Sequence, residues 1–444
     1  MSAWLASVQA PAPSFGGTAG YSAAIGVVAV THIILAGLIS AAGQLGPFAE
    51  WIGYLRRRPD YDRLARALGK FVVYYFAISS AVAFVFITVL LTALWGHFWT
   101  VMSRVTFWPL VLELFAFLFE VMFAYLWYYS WDALRDWKGL HMALGGLLVL
   151  ADFLQVLMIN VVASYMATPA PAGDLFRVIL NPTFYPLQVH RIVGNLAYVG
   201  FGSGAVAGIL YLRSRDPSRR AFLDWAGSFG MLVGMVMTLL QPVVGYSYAK
   251  QLQLHSYRSW YKMMFGSLST VFLWQMALLG IIFLLGVIYF SRRLRRDRAR
   301  GGGILKATAV AMVLTTLFAA LPYHLAFDYR QVEAAGMARP FWDGGLINPL
   351  GAMIPWKVSA LIVYTLLAIG AVLWYLRGLP QVRWGNAGRG EQYLLVTSAI
   401  LTAVMIATMG YIRENGRGPD LIYGQMSIEG QAPAPSPSAP AAPP

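Results

Sequence analysis

PLVLELFAFLFEVMFAYLWYY, residues Pro109–Tyr129, is long and apolar enough to cross a bilayer, yet it carries Glu113 and Glu120. At about 3.6 residues per turn, a spacing of seven puts both carboxyls on one helix face, roughly 10 Å apart along the axis. A carboxyl facing lipid costs several kcal/mol, so both acids should face a protein interior, a water chain or a cofactor. Hydrogen-bonding to neighbouring helices would account for one such acid. Two on one face favour a proton path or a redox centre.

The rest of the chain repeats the apolar character of this stretch. Of its 444 residues, 58% are hydrophobic and only 12% charged, which excludes an ordinary soluble domain. The apolar runs are continuous rather than alternating, which argues against a β-barrel and predicts an all-α polytopic membrane protein of about ten transmembrane helices. The absence of cysteine removes disulfides, thiolate metal sites, iron–sulfur clusters and covalently attached haem. A net charge of +14 suggests nucleic acid at first sight. The basic residues instead cluster in short loops between spans, the positive-inside pattern, so no nucleic-acid partner is expected.

The loops fix the expected sidedness. Residues 1–20 have no Lys or Arg and form an extracytoplasmic segment before span 1, Tyr21–Leu45, which holds His32. The following loop carries Arg56, Arg57, Arg58, Arg63, Arg66 and Lys70 and is expected inside. Span 2 (Phe71–Trp95) reaches an outer turn with His97, and span 3 is the quoted stretch. SWDALRDWKGLH forms the next inner loop, before span 4 (Met142–Met166) with Asp152 and Asn160 as further buried polar candidates.

Span 5 contains His190 and the small residues Gly200, Gly202, Gly204 and Gly208, which admit close approach of a helix or a flat cofactor. Span 6 (Ala221–Val244) leads to the outer loop GYSYAKQLQLHSYRSW, and span 7 opens near Tyr261 with Met263 and Met264. Spans 8 and 9, Ile304–Leu325 and Trp356–Leu376, flank an outer segment. Span 10, Tyr393–Tyr411, is followed by Arg413, Glu414 and Arg417. Both termini are expected outside. The tail after Gln431 is rich in Pro, Ala and Ser and is expected to be disordered.

Without thiolates, the iron ligands available near the membrane are His32, His190, Met263 and Met264, with His324 near an outer helix end. His opposite Met is a low-spin haem ligation suited to electron transfer. His190 and Met264 are expected at equal depth near the outer surface, with Glu414 at the same level and His32 near mid-span. Methionine in an apolar helix also serves packing, and an intramembrane histidine also bonds helix to helix.

His32 in span 1, LVLELFAFLFE in span 3, SYMATP after span 4, NPTFYPLQVHRIVGN at span 5, YKMMFG at span 7 and ENGRGPD after span 10 together resemble subunit I of the cytochrome bd family of quinol oxidases. The resemblance divides the chain into a haem-binding core over 21–295, an additional helix pair with an outer loop over 296–390, a final span with the ENGRGPD motif over 391–425, and the tail, 426–444. It implies that His190 and Met264 ligate a low-spin haem b. His32 and Glu414 are then ligands of a high-spin pair that includes either haem b or the chlorin haem d. Arg417, and Lys262 where the family has arginine, are implied beside the haem. Glu113 and Glu120 are implied near the haem and on the proton path, with the spacing between them one residue shorter than in the family. The outer loop after span 6 is shorter than the family's quinol-binding loop and offers Lys250 but no Glu. Asp420 stands where the family has an aromatic residue.

The resemblance implies an oxidoreductase of the bacterial inner membrane. Electrons from quinol or another outer-side donor would pass to a haem pair that reduces oxygen, with a second bd-type subunit or a second copy as partner. An alternative is a haem-bearing anchor and electron conduit fed by a periplasmic c-type cytochrome or oxidoreductase. A proton-coupled transporter using Glu113, Glu120 and Asp152 is a third reading.

Overall fold

The computed structural model describes residues 17–169, 174–264, 266, 268–319, 356–417, 421–422 and 426–427. Thirteen helices cover nearly all of them. They are α1 (Gly17–Arg56), α2 (Pro59–Phe84), α3 (Gly96–Val105), α4 (Phe107–Tyr129), α5 (Lys138–Ala167), α6 (Leu175–Ile179), α7 (Phe184–Arg213), α8 (Pro217–His255), α9 (Tyr257–Met264), α10 (Ser269–Arg296), α11 (Gly302–Ala319), α12 (Trp356–Gly378) and α13 (Arg389–Arg417). α2 runs on through a π-helical stretch, Val85–Leu91, and a last turn, Thr92–Leu94. The only strands among the described residues are Leu421–Ile422 and Met426–Ser427, which pair antiparallel. Among the described residues nine helices are long and apolar enough to cross a membrane, and Gly302–Leu317 is a shorter apolar helix. The fold is therefore the expected all-α polytopic one.

Several expected loops are helical. α1 continues through Pro47 to Arg56, so the basic stretch after span 1 shrinks to a turn at Arg57 and Arg58. There Arg57 adopts a left-handed φ of 51° and the Arg58 amide donates to Gly53 O at 3.1 Å, a Schellman-type closure. Arg298, φ 55°, closes α10 the same way, with the Ala299 amide on Leu294 O at 2.8 Å. α5 begins at Lys138, four residues before the expected start. α8 extends through the expected outer loop to His255, leaving only Ser256 between it and α9.

The described residues form two compact units. One comprises the chain up to Val189, with Leu254–Ser256 and the segment from Arg417 onward; the other comprises His190–Gln253 and Tyr257–Gly416. In the first unit α1, α2, α4 and α5 pack together. In the second, α10, α11 and α12 pack on one another around a core that includes Phe283, Val287, Phe290 and Tyr375. Gly200 and Gly204 of α7 meet Gly227, Gly230 and Gly234 of α8, and Gly208 meets Gln392 and Leu395 of α13. A Cβ on Gly230 would lie 2.6 Å from both Gly200 O and Gly204 N. These glycines thus serve helix crossing, the first of the two uses expected from sequence.

Candidate functional site

The carboxyls of the first unit occupy the predicted face. α4 is one unbroken helix, in which Glu120 is buried and Glu113 half-buried. Gln155 of α5 donates to Glu113 Oε1 at 2.9 Å. Asp152, one turn away on α5 and fully buried, is the neighbour of Glu120 and accepts from Gln44 Nε2 of α1 at 2.5 Å. For two adjacent carboxyls to hydrogen-bond, one must carry the hydrogen. Three helices therefore enclose a set of groups able to hold and pass a proton. Asn160, the other polar candidate of span 4, is buried and donates to Gln188 Oε1.

A second cluster, unforeseen from sequence, lies at the basic end of the same helices. Glu50 of α1 is fully buried and is met from three sides. Trp127 Nε1 of α4 donates to its Oε2 at 2.8 Å. Lys138 Nζ and His141 Nδ1 of α5 lie 2.7 and 2.6 Å from its Oε1. His141 Nε2 donates to the Trp127 carbonyl at 2.8 Å. Lys138 also donates to Asp62 Oδ1 of α2 at 3.1 Å and lies over the Trp131 ring. Gly46, Gly69 and Gly145, from three helices, give the Trp127 ring its place: a Cβ on any of them would come within about 3.1 Å of the indole. The signal available in the sequence was a Glu and a His at the ends of apolar runs, each beside basic residues.

In the second unit, His190 near the start of α7 stacks on Tyr248 of α8, with ring centroids 6.2 Å apart. Its Nδ1 is buried and has no hydrogen-bond partner, while its backbone carbonyl accepts from Gln241 Nε2 at 3.1 Å. Gly245 lies beside the ring, where a Cβ would sit 3.8 Å from Cε1. Met263 and Met264 are both half-buried at the end of α9. Lys262 donates to Asn415 O at 3.0 Å, which ties α9 to the end of α13 next to Glu414. Arg191, half-buried, feels the charge of Arg413. Two guanidiniums close enough to feel each other suit an anionic group such as a haem propionate.

His32 is half-buried within α1. The side chains of His97, Arg258, Glu414 and Arg417, all of His324, the outer segment before α12, Asp420 and the tail after Gln431 lie outside what is described. Among the described residues no three His, Asp or Glu side chains converge as a metal-ion site. Haem needs only one or two axial side chains, and a buried ring nitrogen without a partner is a fitting donor.

Among the described residues, nine helices apolar enough to cross a membrane, with carboxyls, a histidine and an arginine buried among them, define the class: a polytopic membrane protein with ionisable groups inside its helix bundles. The description "cytochrome bd terminal oxidase subunit I" matches residues 23–258, more than half of the chain, which therefore belongs to that family. Family membership makes it a membrane oxidoreductase of electron transport and implies haem. The solved bd oxidase from Geobacillus thermodenitrificans is similar at a TM-score of 0.63 and 16% sequence identity, over 93% of this chain and 90% of that one, which speaks for the fold. No curated protein matches the chain.

Proposed function

We propose that this chain is the haem-carrying large subunit of a bacterial inner-membrane terminal oxidase that takes electrons from quinol or another outer-side donor and reduces oxygen. His190 and Met264 would hold a low-spin haem b, and His32 and Glu414 a high-spin pair of haem b or of haem b and haem d. When bound, haem supplies the electron transfer and the oxygen chemistry. The chain's own residues supply the rest. Lys262, Arg191, Arg413 and Arg417 neutralise anionic propionates, and Glu120, Asp152 and Glu113 hold and pass protons. A second bd-type subunit or a second copy completes the complex.

The observation that carries this reading is the contrast between two histidines. His141 spends both ring nitrogens on protein partners, whereas His190 keeps a buried nitrogen without one. The first is a locked core residue, and the second is available as a ligand.

A second reading, an electron-conduit subunit fed by a periplasmic c-type cytochrome or oxidoreductase, is favoured by one feature. Helix occupies Tyr246–Met264 apart from Ser256, leaving no long loop after span 6 of the kind implied for quinol binding.

A reduced-minus-oxidised optical spectrum of the purified protein, repeated with carbon monoxide, tests both. Low-spin b bands together with a species shifted by carbon monoxide are the expected result. Low-spin b haem alone would transfer the assignment to the conduit, and a folded protein without haem would reject both.

A further inference from the structure

The Glu50 cluster has a hydrogen count that geometry fixes. A carbonyl oxygen only accepts, so His141 Nε2 must carry a hydrogen to bond Trp127 O. With Nε2 so occupied, the contact between His141 Nδ1 and Glu50 Oε1 at 2.6 Å needs a hydrogen of its own, borne by either atom. One proton is therefore shared along that axis. The same Oε1 faces the Lys138 ammonium at 2.7 Å. Lys138 reaches on to Asp62, and both side chains are partly open, at 26% and 38% exposure, whereas those of Glu50 and His141 are at 0% and 2%. Two further charged pairs at this end, Arg66 with Asp132 at 2.5 Å and Arg58 with Asp60 at 3.2 Å, are closed on themselves.

The cluster thus runs from solvent into the bundle. The helices that build it also carry the carboxyl set: Gln44 lies six residues before Glu50 on α1, Glu120 seven before Trp127 on α4, and Asp152 eleven after His141 on α5. A step of six or seven helical residues is roughly 9–10 Å, a distance that a few water molecules bridge.

We infer that Glu50 and His141, fed through Lys138 and Asp62, form the site at which this protein loads protons from the side bearing its basic loops. The inference rests on the oxidase reading. The step balances as follows: the shared proton leaves the Nδ1–Oε1 axis through water to an ionised carboxyl of the Asp152–Glu120 pair, Lys138 gives a proton to Glu50 Oε1, and water beside Asp62 returns one to Lys138.

Glu50→Gln is the discriminating variant. The amide oxygen still accepts from Trp127 or Lys138 and the amide N–H still donates to His141 Nδ1, so the packing survives while the transferable proton is lost. In the purified complex, oxygen consumption by this variant should fall about tenfold or more, no larger than the usual cost of removing a positioned proton-transfer group. Its rate should also decline with rising pH more steeply than that of the parent, because the supply would follow bulk proton concentration. Haem spectrum and thermal stability should stay as in the parent.

Glu120→Gln, run beside it, separates the two ideas. Slow Glu120→Gln with a Glu50→Gln of parental rate and pH profile overturns the loading site alone; parental rates in both overturn the proton route itself. If Glu50→Gln does not fold, Lys138→Met, at a partly exposed position, carries the test, and a parental pH profile there overturns the inference. Should the parent consume no oxygen, infrared difference spectra between acid and alkaline pH decide the matter. Paired carboxylate and imidazole bands absent from Glu50→Gln are expected, and their persistence in that variant overturns the assignment.

Discussion

Replacing Arg293 with Met should destabilise the second unit more than any other single change outside the candidate site. Arg293 is a fully buried arginine near the end of α10. Its guanidinium pairs with Asp224 of α8 at 2.7 Å and with Asp297 at 3.1 Å, and donates to Arg383 O at 2.7 Å. Asp224 also accepts from the Gly385 amide at 2.7 Å, and Asp297 from the Arg383 amide at 2.9 Å. The arginine therefore pins the segment before α13 to α8 and α10. Methionine fills most of the volume but leaves Asp224 a buried carboxylate with two backbone amides, of Gly385 and Ala387, and no countercharge from α10. Breaking a buried pair from one side costs about 3–5 kcal/mol. At about 2–4 °C per kcal/mol for a unit of this size, the apparent Tm should fall by roughly 6–20 °C. Heating in detergent followed by size-exclusion detection of the surviving fold measures it. Arg293→Met combined with Asp224→Leu should recover part of the loss, since the stranded charge is gone. A single variant within about 2 °C of the parent, or a double variant no better than the single, refutes the reasoning, because either shows that the lost partner was not what mattered.

Three further outcomes are expected. Gly230→Ala places a methyl 2.6 Å from the Gly200 carbonyl and the Gly204 amide, both backbone, so α7 and α8 must part; the same heating assay should register about 1–3 kcal/mol of destabilisation, against no loss for Gly303→Ala, which meets nothing within 4 Å. His190→Ala should abolish the low-spin spectrum while sparing expression, and Met264→Leu should convert it to high-spin; an unchanged His190→Ala spectrum rejects the ligand assignment, and a conversion by Met263→Leu instead moves the second ligand by one residue.

The spans were legible because their apolar runs are continuous, and the shared face of Glu113 and Glu120 was legible because seven residues nearly close two helical turns. What escaped was charge buried in pairs. Span 1 reads as ending at Leu45 since Pro47, Glu50 and the arginines follow it, yet Pro47 packs against Gly145 and the helix runs on to Arg56. Lys138 and His141 read as loop because hydropathy counts each charge as exposed. Nothing local reveals that Glu50 awaits them on another helix. The glycines of span 5 left two uses open, and only the matching glycines of α8 decide for a helix. The proposed ligand set rests on resemblance, because a methionine or histidine in an apolar helix has the same local sequence whether it packs or binds.

The order in which the chain is made gives the Glu50 cluster a consequence for membrane insertion. Glu50 emerges with α1, but the side chain that meets its Oε1, His141, lies 91 residues later, and Trp127 lies 77 later. At about 5–20 residues per second, roughly 5–20 s separate the acid from its histidine. Until α4 and α5 follow, α1 and α2 lack the partners of Glu50, so the acid has to wait at the water-facing end of its helix. Docking of the α4–α5 hairpin then draws it in, and the finished hairpin becomes the event that commits the N-terminal helices to their final depth. Variants that weaken this cluster should therefore first show themselves as immature chains held by the insertion machinery, before any loss is seen in the assembled protein.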